Sequence, residues 1–426
     1  MTEQQAITPE DKGVLVIGGG MAGLTAALEA AEAGCEVLLV EKSPYLGGRV
    51  ARTNQYFPKL CPPTCGLEIN FRRIKDNPRI RVLTMAEVER IEGNAGDYDV
   101  TVKVSPRYVR EDACTLCDDC AKACPSERKD EFNFGLSKTK AVYLPHNMAF
   151  PASYVIDRDA CPSGCTACAE ACKYGAVDLD QKEERHTFKA ASVVAATGWA
   201  PYDASKIDNL GFGKYENIVT NVIMERLAAP NGPTGGKIIR PSDGHEIRSV
   251  VFVQCAGSRD ENHLPYCSAV CCAASLKQAT YVREQYPDAQ ITIFYIDIRT
   301  PARLEDFYNK VTDDENLELI KGKVAMVEED PATRDILVTA EDALNGRKIT
   351  RAANLLVLAT GIVPQTEGLP EGFELDEFRF VANAGGKKGL IGAGCVRRPE
   401  EVSATVQDAT GAALKAFQCV RRANHG

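Results

Sequence analysis

Residues 13–41 confine this chain to a narrow set of folds. GVLVI, 13–17, is a short apolar run suited to a buried parallel strand. Gly18-Gly19-Gly20-Met21-Ala22-Gly23 follows at once, then a helical stretch, LTAALEAAEAG. A second apolar run, CEVLLVE, closes on Glu41, with Lys42 after it. Strand, glycine turn, helix, strand and terminal acid are together the parts of a dinucleotide-binding βαβ unit. Gly18 permits the tight turn, Gly20 lets the backbone approach a pyrophosphate, and Gly23 lets the helix pack close. The pyrophosphate is expected at the helix N-terminus, over Met21 and Ala22, where free amides favour an anion. Glu41 stands where an acid grips a ribose hydroxyl.

The fingerprint alone serves NAD or FAD. Leu46-Gly47-Gly48-Arg49 resembles the glycine pair of two-dinucleotide-binding-domain flavoproteins, which favours FAD, with Gly48 and Arg49 beside it. AASVVAATG, 190–198, recurs as NLLVLATG, 354–361, so that Thr197-Gly198 and Thr360-Gly361 end two similar strands. Such endings occur where flavoprotein chains pass from one nucleotide domain to the next. The expected fold is α/β, two Rossmann-like halves of the glutathione- and thioredoxin-reductase type with a ferredoxin-like insert. Residues 1–104 and 186–247 are read as the FAD domain, 105–185 as the insert, 248–353 as the second Rossmann-like domain, and 354–426 as the C-terminal part of the FAD domain.

The insert holds two cysteine quartets. Cys114, Cys117, Cys120 and Cys124, followed by Pro125, have the spacing of a bacterial ferredoxin 4Fe–4S run. Cys161, Cys165, Cys168 and Cys172 repeat it with one extra residue in the first gap and Lys173 in place of the proline. In two-cluster ferredoxins the fourth cysteine reaches to the other cluster. Cys172 is therefore paired with Cys114, Cys117 and Cys120, and Cys124 with Cys161, Cys165 and Cys168. Zinc sites rarely pack four cysteines so densely twice, and a reducing compartment does not sustain disulfides.

In the second half the strand SVVFVQ should run into another glycine turn if it bound a nicotinamide cofactor. It runs instead into Cys255-Ala256-Gly257, then PYCSAVCC with Cys267, Cys271 and Cys272. Their spacing alone leaves two readings, small buried hydrophobes or a third cluster. Asp297, on the next strand, is a weak candidate for a ribose ligand without those glycines. GLIGAGC, 389–395, resembles the FAD-ribityl motif of disulfide-reductase-like chains, with Gly394 in place but Cys395 where an aspartate is usual. The helical stretch 403–417 follows and is expected to point its N-terminus at the flavin. Cys61 and Cys65, in FPKLCPPTCGL, read as a proline-stiffened loop with two free thiols, as a flavin contact, or as a working thiol pair.

A net charge of −9 argues against binding nucleic acid or anionic lipid. No apolar run approaches the roughly 18 residues of a membrane span, and the N-terminus is polar. Seventeen cysteines without a leader point to a reducing, cytoplasmic setting.

QCAGSRD, PYCSAVCC with LKQA, and IFYIDIR, together with GGGMAGL and the paired quartets, resemble the A subunit of heterodisulfide reductases, including its short relatives in quinone-interacting membrane-bound oxidoreductases. The resemblance runs over nearly the whole chain. It implies that Cys255, Cys267, Cys271 and Cys272 hold a third 4Fe–4S cluster, and that Lys277 is the catalytic-site lysine close to the flavin's reactive nitrogen. It implies an electron-transfer role with three partners: adenylylsulfate reductase, a membrane subunit with quinone access, and a second flavin/iron–sulfur subunit. The chain would be peripheral to the inner membrane through a partner. Flavin-based bifurcation and thiol–disulfide reduction are the alternatives.

Overall fold

The computed structural model describes residues 12–382 and 388–425. The polar N-terminal residues 1–11 lie outside them. The chain forms two compact units, one of residues 1–199, 364–398 and 402–426, the other of 200–363 and 399–401. Of the stretch 186–247, the first fourteen residues therefore belong to the first unit and the rest to the second.

The first unit opens with β1 (Gly13–Ile17), α1 (Met21–Glu32) and β2 (Val37–Val40). Every residue of both strands is buried, as strands covered on both faces must be. α2 (Pro63–Asp76), β3 (Ile80–Leu83), β4 (Ala86–Asn94) and β5 (Asp97–Val104) follow. In the insert, α3 (Asp119–Ala123) and α4 (Ala167–Ala171) carry the middle of each cysteine quartet. The chain returns through the long β6 (Glu184–Ala195). The sheet order is β3-β2-β1-β6-β5-β4, with strand Leu390–Gly392 on the other side of β6. β6 changes character along its length. Glu184–Ala190 pairs antiparallel with β5, and Ala190–Ala195 runs parallel to β1.

Small residues set the packing behind this sheet. Ala26, Ala27, Ala30 and Ala31 of α1 share one buried core with Ala409, Ala412, Ala413 and Ala416 of the C-terminal helix Val402–His425. Alanine at these positions lets two helices approach closely without side-chain entropy loss.

In the second unit β7 (Ile218–Thr220), α5 (Asn221–Ala228), β8 (Ser249–Ala256), α6 (Cys271–Gln285), β9 (Gln290–Tyr295), β10 (Leu317–Lys321) and β11 (Leu355–Thr360) build a parallel sheet of order β7-β11-β8-β9-β10. A three-stranded antiparallel sheet, 324–353, covers one side through Val327, Val338 and Ile336. Each unit is thus a Rossmann-like half, and the architecture is the two-dinucleotide-binding-domain flavoprotein fold expected of the sequence.

Candidate functional site: a dinucleotide cradle and three cysteine quartets

The turn after β1 leaves no room for side chains. Gly18 has φ +106°, and a Cβ on it would lie 2.4 Å from the Ala196 carbonyl oxygen. A Cβ on Gly23 would lie 1.7 Å from the Gly18 carbonyl oxygen, so α1 can start against the strand only with glycine there. Gly48, at φ +53°, lies back to back with Gly20, its added Cβ 2.9 Å from the Gly20 Cα. The Gly47 amide donates to the Gly19 carbonyl at 2.8 Å, fixing the second glycine loop beside the first. Around Gly20 itself an added Cβ meets nothing closer than 3.9 Å. The first-turn amides of α1, over Met21 and Ala22, lack intrahelical acceptors, as at any helix start. The result is a side-chain-free cradle of backbone donors that fits a pyrophosphate.

Charged groups border it. Glu41 accepts from the Gly19 amide at 2.5 Å and from the Ser43 amide at 2.7 Å, which anchors the ribose-position acid at the turn. Arg49 donates to the Trp199 carbonyl at 3.0 Å, with its guanidinium 5.3 Å from the indole centroid. Burial, then the charge of Arg52, push Arg49 down to about 10, so it remains a cation at neutral pH. Lys42 stands apart. Its side chain is 83% exposed and pairs with Glu87 at 2.7 Å, so it is not brought to the cradle.

Gly394 does meet the cradle. At φ +70° its added Cβ would lie 2.8 Å from Ala22 Cβ, and its amide donates to Asp408 at 2.8 Å. Asp408 also pairs with Arg397. Cys395 turns inward toward the Thr405 hydroxyl. The carboxylate at this corner thus comes from the C-terminal helix, which the motif did not reveal. The two ATG endings differ. Thr197 donates to the Gln365 carbonyl at 2.5 Å, and Gly198, at φ +74°, faces open space. Thr360 and Gly361 lie in the second unit and are buried, with Ser258 Oγ only 2.3 Å from an added Gly361 Cβ. They wall the cysteine site of that unit.

In the insert a small cavity is lined by Cys114, Cys117, Cys120 and Cys172, with Tyr154 and Tyr174. Burial and the charges of Cys114, Cys172 and Cys117 push the Cys120 thiol up to about 12. At Cys172 burial acts upward, but the amides of Val177, Ala176, Tyr174 and Gly175 outweigh it and hold the thiol below its ordinary range. The Ala176 amide donates to this sulfur at 3.3 Å. Such donors favour a thiolate ligand. In the other quartet burial raises Cys168, with Cys161 and Cys124 among the neighbouring charges. Cys161 is likewise raised by burial, with Cys124 and Cys165 close. The neighbours are those of the crossed pairing. Gly164, at φ +69° in open space, absorbs the extra residue of the second run. Lys173, in place of proline, pairs with Asp119 at 3.2 Å.

In the second unit Cys255, next to last in β8, has a left-handed conformation, φ +55°, while Cys271 and Cys272 open α6. Burial, then the charge of Cys272, push Cys255 up to about 11, with Cys267 also near. Cys271 is raised by burial and by the charges of Cys255, Cys272 and Cys267, which places the other three cysteines in its neighbourhood. Arg299 reaches Cys267, and Asp297 pairs with both Arg259 and Arg299. Asp297, the weak ribose candidate, is committed to these arginines. Tyr202 fills the space at Gly257, 2.6 Å from an added Cβ, where a second nucleotide turn would need to stay open.

Behind α6 runs a buried polar chain. Cys271 donates to the Thr360 carbonyl at 3.5 Å, and the Thr360 hydroxyl to Asn221 at 2.8 Å. Gln278 joins the Asn221 carbonyl to Glu225, both at 2.8 Å. Lys277 lies 3.0 Å from Glu225, and both side chains are under a tenth exposed. Sequence reasoning gave no role to Glu225 or the amides at 174–177, which belong to no motif, nor to Arg259 and Arg299, which lie within QCAGSRD and IFYIDIR.

Among the described residues no three His, Cys, Asp or Glu converge closely enough to hold a single metal ion. Cubane ligands bind separate irons and stand wider apart around the cluster than the ligands of one metal ion.

A family model described as FAD dependent oxidoreductase matches residues 13–201. The chain resembles the thioredoxin reductase of Lactococcus lactis in fold, with a TM-score of 0.54 and 14% identity, over 96% of this chain and 99% of that one. In sequence it is similar to the A subunit of heterodisulfide reductases. It is 38% identical to the iron–sulfur A subunit of the CoB–CoM heterodisulfide reductase of Methanocaldococcus jannaschii, over 96% of this chain and 64% of that protein. Against the A subunit of the ferredoxin/F420H2-dependent CoB–CoM heterodisulfide reductase of Methanosarcina acetivorans it is 39% identical, over 96% of this chain and 53% of that protein. The chain thus spans between about half and two thirds of the length of these relatives.

Proposed function

We propose that this chain is the FAD- and iron–sulfur-bearing subunit of a larger oxidoreductase, passing electrons between a quinone-linked membrane partner and a cytoplasmic reductase. The observation that carries the reading is one glycine cradle combined with three converging cysteine quartets, in a chain whose second nucleotide turn is blocked by Tyr202. FAD, when bound, supplies conversion between paired and single electrons, and 4Fe–4S clusters carry single electrons.

The chain's own residues supply the surroundings. The amides at the start of α1 hold the pyrophosphate, Glu41 the ribose, and Arg49 adds a cation beside the cradle. The amides around Cys172 stabilise a thiolate, and Arg259 and Arg299 offset the charge of four cysteines in the second unit. Lys277, with Glu225 as its counter-charge, is the cation proposed to tune the flavin. The relatives' names support a complex of several chains. The proposed partners are adenylylsulfate reductase, a membrane subunit with quinone access, and a second flavin/iron–sulfur subunit. The proposed setting is sulfate respiration at the cytoplasmic side of the membrane. No helix among the described residues is long and apolar enough to cross a membrane, so quinone contact is assigned to a partner.

The test is iron and acid-labile sulfide per FAD on anaerobically purified protein. About 12 iron per flavin is expected, three clusters of four. About 8 would return Cys255, Cys267, Cys271 and Cys272 to packing, and absence of FAD would overturn the reading. Added NADPH should leave the flavin oxidised, whereas rapid bleaching would restore a nicotinamide site.

A further inference from the structure

Cys61 and Cys65 belong neither to the cradle nor to any quartet. They flank two prolines, in Cys61-Pro62-Pro63-Thr64-Cys65. The Tyr56 amide donates to the Cys61 carbonyl at 3.0 Å, an isolated antiparallel bridge that closes a short loop ending at Cys61. Cys65 is the third residue of α2, and its amide donates back to the Pro62 carbonyl at 3.1 Å. Proline fixes φ at both Pro62 and Pro63, so this segment is stiff. It folds back on itself and brings the Cys61 thiol within hydrogen-bonding reach of Cys65. Tyr56 closes the third side, its hydroxyl lying where it would be 2.3 Å from a Cβ on Gly66. Cys65 is exposed and Cys61 partly so.

We propose that Cys61 and Cys65 form a redox-active dithiol that exchanges with low-molecular-weight disulfides. The two thiols have unequal roles. Cys65 is the exposed one and stands in the first turn of a 14-residue helix, open to an incoming disulfide. Cys61 is less accessible, and burial and its hydrogen bond to Cys65 raise it. Cys65 therefore attacks first. Its thiolate displaces one half of the incoming disulfide, giving a mixed disulfide on Cys65 and one free thiol. Cys61 then loses its proton and attacks the Cys65 sulfur, forming the Cys61–Cys65 disulfide and releasing the second thiol. Two electrons pass from the protein dithiol to the external disulfide, and its two leaving thiolates take up the two protons. Reduction by an external dithiol reverses the steps.

The consequence reaches the cradle. Leu67 and Phe71 of α2 pack on Gly47, 3.1 and 3.4 Å from an added Cβ, and Gly47 adjoins Gly48 at the Gly20 turn. Closing the disulfide clamps the first turn of the helix that supports the glycine pair.

The experiment uses the anaerobically purified holoprotein, equilibrated in buffers of glutathione and glutathione disulfide, quenched in acid, alkylated and mapped by mass spectrometry. The peptide holding both cysteines should lose two hydrogens with a single midpoint and carry no lasting glutathione. In Cys61→Ser, glutathione should stay on Cys65. In Cys65→Ser, attack should slow by about tenfold or more, because the exposed nucleophile is gone. Iron and FAD content should be unchanged in both variants, which separates this site from the quartets. If the native dithiol stays fully alkylatable in glutathione disulfide, or if each cysteine takes up glutathione without internal closure, the proposal is wrong. Loss of iron from either variant would also overturn it, by making that cysteine a cluster ligand.

Discussion

Replacing Lys277 by Met, and Glu225 by Gln, should destabilise the second unit in opposite pH directions. The carboxylate of Glu225 takes the Lys277 ammonium at 3.0 Å, Gln278 at 2.8 Å and the Tyr281 hydroxyl at 3.2 Å. Every one of these residues is at most 6% exposed. Breaking a buried pair by removing one partner costs about 3–5 kcal/mol, because the other charge is stranded. A stranded carboxylate can escape by taking a proton. With a reference value near 4.3, that costs about 3.7 kcal/mol at pH 7 and about 1.4 kcal/mol less for each unit of acidification. The loss in Lys277→Met is thus capped at about 4 kcal/mol at neutral pH and should shrink toward pH 5. A stranded ammonium escapes by losing a proton, at about 4.6 kcal/mol at pH 7, so the loss in Glu225→Gln should shrink as pH rises. The double variant should recover most of either loss, since no charge remains to be stranded. Denaturant unfolding, read by hydrogen exchange in peptides of β7, β8 and β11, measures these changes at pH 5.5, 7 and 8.5. Single variants that cost under about 1 kcal/mol, or that share one pH slope, would refute the buried charge pair.

Three further outcomes test the sites. Gly48→Ala forces a side chain into the left-handed region, at about 1–2 kcal/mol, and against the Gly20 backbone; FAD per protein, by absorbance, should fall at least several-fold, while Gly198→Ala, which bears the same left-handed strain but meets no atom within 4 Å, should keep its flavin. If Cys114 and Cys172 share one cluster, the double serine variant should lose about 4 irons, as each single variant does, whereas separate quartets would lose about 8. Arg299→Gln removes a cation next to Cys267 and should move the midpoint of the second unit's cluster to more negative potential in a spectroscopic redox titration, with an unchanged midpoint counting against a ligand role for Cys267.

The cradle and the quartets were legible in the sequence because their chemistry is local. Gly18, Gly20 and Gly23 lie within six residues; close backbone approach requires the first and third, and Gly20 keeps the space beside the turn open. Three of the four proposed ligands of each insert cluster lie within eight residues, and only the fourth is taken from the ferredoxin pattern. Legibility fails where a partner comes from far along the chain. Glu225 meets Lys277 across 52 positions, Asp408 serves a turn at Gly394, and the amides of 174–177 follow the last cysteine without any motif. The paired ATG endings read alike in sequence and sit in different surroundings: Ser258, Leu264 and Ser268 come within 3 Å of an added Cβ on Gly361, and no atom comes within 4 Å of one on Gly198. Lys42 follows the ribose acid in sequence, yet it stands in the bend after β2 and turns to Glu87.

The ladder between β5 and β6 has a consequence for how such a chain can change over time. Val104 and Glu184 are register partners at its mouth, so the two ends of the insert emerge side by side, about 5 Å apart. The whole iron–sulfur stretch is topologically the loop of a β-hairpin. A two-residue turn at the same place would join the strands in the same register. The core beside the sheet would lose Phe132 and Ala149, with Leu144, Met148 and Phe150 packed against it, and Leu46 would lose the Phe150 carbonyl its amide donates to. The wiring is a cassette: it can be inserted, exchanged or dropped by a lineage without rethreading the nucleotide fold that carries it.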